Sequence, residues 1–498
     1  MTQAAASQSA GTATHGLFIN GQWTPAKTGR TFAVTDPATG ETLATVADAG
    51  REDTRAAIEA AHAAFPAWSR TPAMARGRIL RHVAALMRER KETLARQLTR
   101  EMGKPITEAR GEIEYAASFL DWFAGEGERV YGDIIPQAVP GKRHLVLKQP
   151  VGVVAAITPW NFPAAMVTRK VAPALAAGCT VVLKPAEQTP LTAISLMELF
   201  AQAGLPAGVL NLITAQDPRP VGEEMLQNPL VRKITFTGST EVGKYLMREA
   251  AHQVKRISLE LGGHAPVIVF DDADLDKAVQ GTLASKFRNM GQTCVCANRV
   301  YVQRGILEEF SRRFAAAVSR LRVGNGLDET VQVGPLIDAA GLEKVKAHVE
   351  DAIAKGARAL TGAKVLTGDG FRGGCYYAPT VLVDVREGMR IMEEETFGPV
   401  APIIAFDTEA EAYARANDSR YGLAAYVFTQ NLDRAIRAAE HLEYGIVGIN
   451  EGLPSTAQVP FGGFKESGIG REGGPYGIHE FLEIKMVGLA IDETVAGA

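Results

Sequence analysis

The sequence predicts an α/β protein built on parallel, doubly wound sheets. From Val151 onward, short apolar runs rich in β-branched residues alternate with stretches of helical periodicity. Buried strands that alternate with helices are typical of parallel sheets covered on both faces. The chain has 498 residues, which is enough for two or three domains. Its content of 46% hydrophobic and 22% charged residues is ordinary for a globular protein.

The first 150 residues predict a tail, a hairpin and three helices. Residues 1–16 are rich in Ala, Ser, Thr and Gln and lack the features of a secretory signal, so we expect a disordered tail. Asn20-Gly21 predicts a hairpin turn. Apolar spacing then predicts helices over Thr54–Trp68, Arg76–Met102 and Thr107–Glu126.

Five strands and four helices are predicted next. The strands are Val151–Ile157, Thr180–Leu183, Val209–Ile213, Lys233–Thr237 and Ser258–Leu261. The helices are Ala164–Ala177, Leu191–Ala203, Val221–Gln227 and Thr240–Val254. Sheets of this kind bind ligands outside the carboxyl ends of their strands. We therefore expect the polar residues that follow these strand ends to converge on one rim: Asn161, Lys184, Glu187, Ser239 and Glu260.

A second α/β unit follows. Its predicted strands are Val267–Phe270 and Val300–Val302, and its predicted helices are Asp274–Arg288, Ile306–Leu321, Leu342–Lys355 and Glu409–Asn417. Near the end, Ile478–Gly488 predicts an exposed apolar strand suited to pairing with a neighbouring subunit.

Cys294 is the candidate nucleophile. Small and polar residues precede it, so the backbone there can turn tightly and expose the thiol. A free cysteine with a pKa of about 8.5 needs help from neighbours to react. One alternative is a small buried hydrophobe. Another is half of a zinc site with Cys296, but the nine histidines are scattered and no second cysteine pair completes four ligands.

Composition and motifs exclude several classes of protein. A net charge of −3 gives no basic field for nucleic acid or anionic membranes, and no apolar run reaches the length of a membrane span. Four cysteines form no disulfide framework and suit a reducing cytoplasm. Gly238–Lys244 matches most of a P-loop, but Tyr245 replaces the Ser or Thr that would bind magnesium. What remains of the motif is a glycine turn before a helix N-terminus, whose backbone N–H groups suit a phosphate.

With these motifs in order, the chain from about Leu17 to about Gly488 resembles the NAD(P)-dependent aldehyde dehydrogenase superfamily. Within it, the chain is most similar to succinate-semialdehyde dehydrogenases, through Thr168-Arg169-Lys170 and the run Phe287 to Cys296. His264 departs from the usual Asn after Leu261-Gly262-Gly263, and we expect no change in chemistry from it. The motifs that carry the resemblance are Thr158–Pro163, Lys184–Glu187, Phe236–Ser239, Glu260–Gly263, Gly291–Cys294, Glu395–Pro399 and Pro460–Gly463.

The resemblance implies the aldehyde dehydrogenase fold, with two doubly wound α/β domains, one for the cofactor and one for catalysis, and a small β oligomerisation element. The implied NAD-binding domain comprises residues 17–129 and 151–262, and the catalytic domain residues 263–462. The implied oligomerisation element comprises residues 130–150 and 463–498, in a homodimer or homotetramer.

The resemblance also implies a mechanism. The Cys294 thiolate attacks an aldehyde, and the oxyanion is held by the Asn161 amide and the Cys294 backbone N–H. After oxidation to a thioester, Glu260 activates the water that hydrolyses it. The alternative for Glu260 is an acid that caps a helix or loop.

NAD is the implied cofactor, with NADP as a second possibility. Lys184 and Glu187 hold the adenosine ribose, and the Glu187 carboxylate disfavours a 2′-phosphate. Glu395 takes the nicotinamide ribose and Phe397 lies beside the ring. Trp160, Gly238 and Ser239 lie near the pyrophosphate. No metal is implied.

The implied substrate is a semialdehyde with a terminal carboxylate. Arg169 and Arg288 are tethered close in sequence to Asn161 and Cys294, and Ser455 matches the family's third carboxylate ligand. Either arginine has the alternative of pairing with a structural acid. Succinate semialdehyde is the first candidate, followed by glutarate semialdehyde and a sulfonated aldehyde such as sulfolactaldehyde. Cys296 is a candidate redox partner of Cys294.

Two other functions compete with this one. A binding protein that kept the fold and lost activity is disfavoured by Cys294, Asn161 and Glu260 occurring together. A CoA-acylating relative is disfavoured by Glu260, since that group lacks a base at this position.

Overall fold

The computed structural model describes residues 13–494, in which two large sheets and three small sheets are surrounded by helices. The α-helices are Arg51–Arg70, Ala73–Glu89, Lys91–Met102, Ile106–Glu128, Ala165–Ala177, Pro190–Gln202, Pro218–Gln227, Thr240–Ala250, Leu275–Phe287, Leu307–Val318, Ala339–Ala354, Arg390–Glu393, Glu409–Asn417 and Leu432–His441. Short 3-10 turns occur at Ala251–Gln253, Arg288–Gly291, Arg304–Ile306, Asp369–Phe371 and Gly477–Phe481.

The first sheet has eight strands. Its order is Gly468–Ile469, Arg256–Glu260, Val231–Thr237, Val153–Ile157, Thr180–Lys184, Leu210–Leu212, Leu17–Ile19 and Gln22–Thr24. The five central strands are parallel, and the two ends add antiparallel strands. Side chains alternate along the strands: Val154 and Ala156 face one apolar cluster, and Val153 and Ala155 face the other. The doubly wound prediction is therefore confirmed.

The second sheet has seven strands. Its order is Arg358–Thr361, Thr380–Val383, Val400–Phe406, Ala297–Gln303, Ala265–Val269, Ala424–Phe428 and Ile446–Ile449. All neighbours are parallel except the first pair. Two minor sheets join Thr14–His15, Thr42–Ala47 and Thr31–Thr35, and Tyr421–Gly422 with Phe464–Lys465.

A three-stranded antiparallel sheet forms the small β element. Its middle strand is Lys142–Pro150, flanked by Asp133–Ile135 and Leu482–Ala490. The strand predicted at Ile478–Gly488 thus begins later, because Gly477–Phe481 is a 3-10 turn. Ile478 and Phe481 are buried in that turn, so core packing overrides the extended pattern of the sequence.

The predicted helix Arg76–Met102 is two helices, Ala73–Glu89 and Lys91–Met102. The backbone leaves helical geometry at Arg90, where neither Gly nor Pro marks a break. Both helices pack mainly on Ile106–Glu128, and both also contact Pro190–Gln202.

The domain boundaries inferred above stay a prediction. Most of the predicted tail, residues 1–12, and residues 495–498 lie outside the described range. Thr14–His15, at the end of that tail, pairs with Thr45–Val46 and is ordered. Gly468–Ile469 extends the first sheet rather than the small one. Between residues 13 and 494, no helix is long and apolar enough to cross a membrane.

Candidate active site

The loop that carries Cys294 has an unusual backbone. After the helix Leu275–Phe287, Asn289, Met290 and Gly291 have φ values of 51°, 58° and 73°. Left-handed geometry at a residue such as Met costs about 1–3 kcal/mol and persists only where surroundings enforce it. A Cβ on Gly291 would lie 2.2 Å from the Gly398 carbonyl oxygen, so the loop packs directly on neighbouring backbone.

Cys294 lies where two cavities meet. The first, of about 350 Å3, is also lined by Trp160, Gly238, Ser239, Glu395 and Phe397. The second, of about 320 Å3, is also lined by Tyr115, Arg169, Arg288, Ser455 and Phe461. The structure thus brings the predicted cofactor residues to one side of the thiol and the predicted substrate residues to the other.

The Cys294 thiol is held in its protonated form. Burial raises its pKa to about 12, and the positive charge of Arg169 opposes that shift only in part. Attack as a thiolate therefore requires a group that accepts the proton.

Two hydrogen-bond donors belong to residues that line the first cavity. Asn161 Nδ2 donates to the Gln292 carbonyl oxygen at 3.0 Å, which leaves its second N–H free. Within residues 13–494, the Cys294 backbone N–H has no acceptor. Asn161, Gln292 and Cys294 all line the first cavity, so an oxyanion formed at Cys294 would have two donors within its surroundings.

Glu260 ends the strand Arg256–Glu260 and is almost fully buried. No hydrogen-bond partner reaches its Oε2 atom from the described part of the chain. Burial, and then the negative charge of Glu472, raise the pKa of Glu260 well above its ordinary value. Glu472 itself pairs with Arg169 and Lys170, so the candidate base adjoins a buried cluster of charges.

The polar rim predicted from strand ends is present. Asn161, Lys184, Ser239 and Glu260 follow or end four adjacent parallel strands. Lys184 Nζ lies 3.4 Å from Glu187 Oε2 and donates to the Pro185 carbonyl oxygen at 3.0 Å. This pair lies outside the lining of the first cavity, farther along the rim.

The lining of the first cavity has groups that suit a phosphate and a ribose. The helix Thr240–Ala250 begins there, with Ser239 as its N-cap, which offers free N–H groups to phosphate. Glu395 Oε1 accepts from the Gly263 N–H at 3.0 Å, and burial raises the pKa of Glu395 to about 7. A Cβ on Gly262 would lie 2.9 Å from Glu395 Oε2, so glycine keeps this approach open. The Phe397 ring meets Trp160 edge-on at 5.5 Å.

The two candidate substrate arginines differ. Arg169 is buried, pairs with Glu472 and stacks 4.1 Å from the Phe461 ring centroid. Arg169 thus has the acidic partner that its alternative predicts, and its role in binding substrate stays a prediction. Arg288 is half-buried, and no carboxylate of residues 13–494 lies within 4 Å of it. Burial raises the pKa of Glu108, which lines the same cavity, and the positive charges of Lys104 and Arg288 oppose that shift in part. Glu108 is thus an acid near Arg288, although within residues 13–494 Arg288 forms no ion pair.

Cys296 and His264 contact neither cavity. The Cys296 thiol is fully buried and accepts from Lys286 Nζ at 3.2 Å. A Cys294–Cys296 disulfide requires that this contact breaks, and it stays a prediction. His264 is buried with Nε2 3.1 Å from the Ile391 carbonyl oxygen, and burial lowers its pKa. Over residues 13–494, no cluster of His, Cys, Asp or Glu has the composition of a metal site.

Sequence reasoning missed several residues of this site. Lys104, Glu112 and Asn289 form a buried hydrogen-bond network around Asn161. Lys104 lies in the short segment between the predicted helices Arg76–Met102 and Thr107–Glu126, where no motif marks it. Glu472 lies in a glycine-rich stretch and gave no signal of its own.

Comparisons with known proteins agree with the geometry. The model of the aldehyde dehydrogenase family matches residues 23–487. The glutarate-semialdehyde dehydrogenase of Pseudomonas putida is 55% identical over 95% of this chain and 97% of its own length. The succinate-semialdehyde dehydrogenase (NADP(+)) of Escherichia coli is 56% identical, over 94% and 96% respectively. A crystal structure of an E. coli NADP-dependent enzyme superposes with a TM-score of 0.94 and 54% identity, over 96% and 98% of the two chains. The chain belongs to the aldehyde dehydrogenase family.

Proposed function

We propose that the protein oxidises a semialdehyde with a terminal carboxylate to the dicarboxylate, with NAD(P) as oxidant and succinate semialdehyde as the preferred substrate. One observation carries this proposal. Cys294 lies between a cavity of about 350 Å3 beside the N-terminus of the helix Thr240–Ala250 and a second cavity that Arg288 lines without an ion pair to any carboxylate of residues 13–494. Arginine binds a carboxylate through paired N–H donors, and a partly buried site strengthens that pairing.

The first chemical step is attack by the Cys294 sulfur on the aldehyde carbon. The thiol proton must leave, since burial keeps the pKa of Cys294 high, and Glu260 is the nearby carboxylate able to accept it. As the S–C bond forms, the carbonyl oxygen becomes an oxyanion that Asn161 Nδ2 and the Cys294 N–H stabilise. Loss of one such donor typically costs about 2.7–4 kcal/mol.

Residues around the first cavity would hold the cofactor. Ser239 and the helix N-terminus suit the pyrophosphate, and Glu395 with Phe397 suits the nicotinamide ribose and ring. A nicotinamide bound there would supply the hydride acceptor that oxidises the carbon attached to sulfur to a thioester. Before hydrolysis, Glu260 must release the thiol proton to solvent. Glu260 then takes a proton from water, the hydroxide adds to the thioester carbon, and the C–S bond breaks. The departing sulfur recovers a proton from Glu260, so the acid is released and the Cys294 thiol is restored.

The proposal extends to assembly and location. The exposed apolar strand Leu482–Ala490 supports a homodimer or homotetramer. The four cysteines are free, which suits a reducing compartment, and a cytoplasmic location stays a prediction.

The test is a kinetic panel of succinate semialdehyde, glutarate semialdehyde, sulfolactaldehyde and butanal with NAD and with NADP, without and with CoA. We expect reduction of the cofactor without CoA, the highest kcat/KM with succinate semialdehyde, and none with Cys294→Ala. Equal efficiency with butanal would refute the carboxylate site. A requirement for CoA would indicate an acylating enzyme, and no turnover with any aldehyde would indicate a binding protein.

A further inference from the structure

Lys104 is a fully buried lysine that the proposed chemistry does not use. Its Nζ atom donates to the Asn161 carbonyl oxygen at 2.8 Å and pairs with Glu112 Oε2 at 2.5 Å. The same atom lies 3.8 Å from the centroid of the Phe162 ring. Lys104 lines neither cavity, so its contacts are with the backbone that carries Asn161 and not with a substrate.

Glu112 joins this lysine to the next helix. Its Oε1 atom accepts from the N–H groups of Ala164 and Ala165 at 2.9 and 3.3 Å. Those residues begin the helix Ala165–Ala177, which follows Asn161 directly. The Lys104–Glu112 pair therefore restrains the chain on both sides of Phe162.

Asn289, on the cysteine loop, contacts the same backbone carbonyl oxygen of Asn161. Its Nδ2 atom donates to the Asn161 carbonyl oxygen at 3.0 Å and to the Gln292 carbonyl oxygen at 3.1 Å. The Gln292 carbonyl oxygen is also the acceptor for Asn161 Nδ2. The Asn289 side chain thus contacts the backbone carbonyl of Asn161 and also the carbonyl group that accepts from the Asn161 side chain.

We propose that Lys104, Glu112 and Asn289 are positioning residues that aim the Asn161 amide at the oxyanion formed on Cys294. This inference rests on the proposed function. A buried ion pair is costly to form, and here it is accompanied by hydrogen bonds to backbone groups that satisfy both partners. An error of about 1 Å in a positioned group is enough to cost about 100-fold in rate.

The experiment is a double-mutant cycle of Lys104→Met with Asn161→Ala, using kcat for succinate semialdehyde. We expect Asn161→Ala to lower kcat about 100–1,000-fold and Lys104→Met to lower it about 10–100-fold. If Lys104 acts through Asn161, Lys104→Met lowers kcat by about twofold or less in the Asn161→Ala background. The KM and the dissociation constant of NAD should change little in each variant.

Lys233→Met is the matched control. Lys233 is equally buried and pairs with Glu480 at 3.4 Å, without contact to Asn161 or the cysteine loop. It reports the general effect of removing a buried lysine. If Lys104→Met does not fold, Asn289→Gly takes its place in the cycle, because glycine tolerates the φ of 51°.

The outcomes are distinct. The same large loss from Lys104→Met in both backgrounds, or a loss no larger than that of Lys233→Met, would overturn the positioning role. Absence of aldehyde oxidation by the unmodified enzyme would instead refute the proposed function.

Discussion

Arg288 and Arg169 line one cavity, yet within residues 13–494 the first forms no ion pair, whereas the second pairs with Glu472. We expect Arg288→Met to raise KM for succinate semialdehyde far more than for butanal, by about 10-fold or more, since a charge-assisted hydrogen bond contributes about 1.5–3 kcal/mol. Arg169→Met leaves Glu472 with one cation fewer beside Glu260, so we expect it to lower kcat for both aldehydes. Equal losses on both aldehydes for Arg288→Met would mean that Arg288 is structural.

Glu187 is the residue we expect to set the choice of cofactor. Its carboxylate is paired with Lys184 at 3.4 Å. We expect it to accept hydrogen bonds from the ribose hydroxyls of NAD and to repel the 2′-phosphate of NADP. We predict a higher kcat/KM with NAD than with NADP, and an increase in the NADP value for Glu187→Ser. Steady-state kinetics with both cofactors checks this, and Glu198→Ser, an exposed acid in the following helix, is the control. A preference for NADP in the unmodified enzyme would contradict it.

Glu260 predicts a pH dependence for thioester hydrolysis. A base acts only when deprotonated, so the rate rises with pH through the raised pKa of Glu260. Removing the charge of Glu472 lowers that pKa, and Glu472→Gln should therefore move the acid limb to lower pH. The decay of the acyl-enzyme after a rapid-mixing burst measures this, and Glu260→Gln should stop the decay. An unchanged limb, or one at higher pH, would exclude the coupling.

Sequence reasoning succeeded at residues that follow a regular pattern. Asn161 and Glu260 lie just past or at the ends of parallel strands, where the sheet topology dictates that polar groups converge. Lys104 and Glu472 have no such pattern, because their partners are distant in the chain: Asn161 lies 57 residues from Lys104, and Lys170 lies 302 residues from Glu472. Only folding brings these buried charges together.

At the scale of elements, the same limit applies to helix ends. The helix Glu409–Asn417 has the predicted bounds, with a Thr408 N-cap. The 3-10 turn at Gly477–Phe481 departs from the predicted strand because burial of Ile478 and Phe481 overrides the extended pattern of the sequence. The break at Arg90 occurs where neither Gly nor Pro marks it.

Glu101 caps a helix other than its own. From the helix Lys91–Met102, its carboxylate accepts from the N–H groups of Leu191 and Thr192, each at 2.8 Å, and so caps the helix Pro190–Gln202. The side chain of the N-cap residue Thr189 accepts no hydrogen bond from this helix. Glu101→Ala leaves two buried donors unpaired, each costing about 1–3 kcal/mol.

We therefore predict that Glu101→Ala lowers the thermal midpoint by several degrees, while the KM values change little. Scanning calorimetry at a fixed heating rate measures the midpoint. Glu198→Ala, an exposed change on the capped helix, should alter stability by about 0.5 kcal/mol or less. A midpoint for Glu101→Ala equal to that of Glu198→Ala would show that the cap contributes nothing.

At the scale of the whole molecule, the small sheet has a strand edge and an apolar face that residues 13–494 do not cover. Leu482–Ala490 pairs with Lys142–Pro150 on one side only, so its other edge has unpaired backbone groups. Ile134, Ile484 and Met486 expose 80%, 76% and 67% of their surface on this sheet. A hydrophobic edge strand of this length is normally covered by another chain.

We predict that the protein is a homodimer or homotetramer, and that Ile484→Lys combined with Met486→Lys dissociates it. Two buried cations without partners in an interface cost more than the lost apolar burial, so the equilibrium shifts to monomers. Light scattering at micromolar concentration measures the mass. Leu432→Lys, which changes a side chain 73% exposed on a helix outside the small sheet, should leave the mass unchanged. A monomeric mass for the unmodified protein would refute the assembly, and an unchanged mass for the double variant would place the interface on another surface.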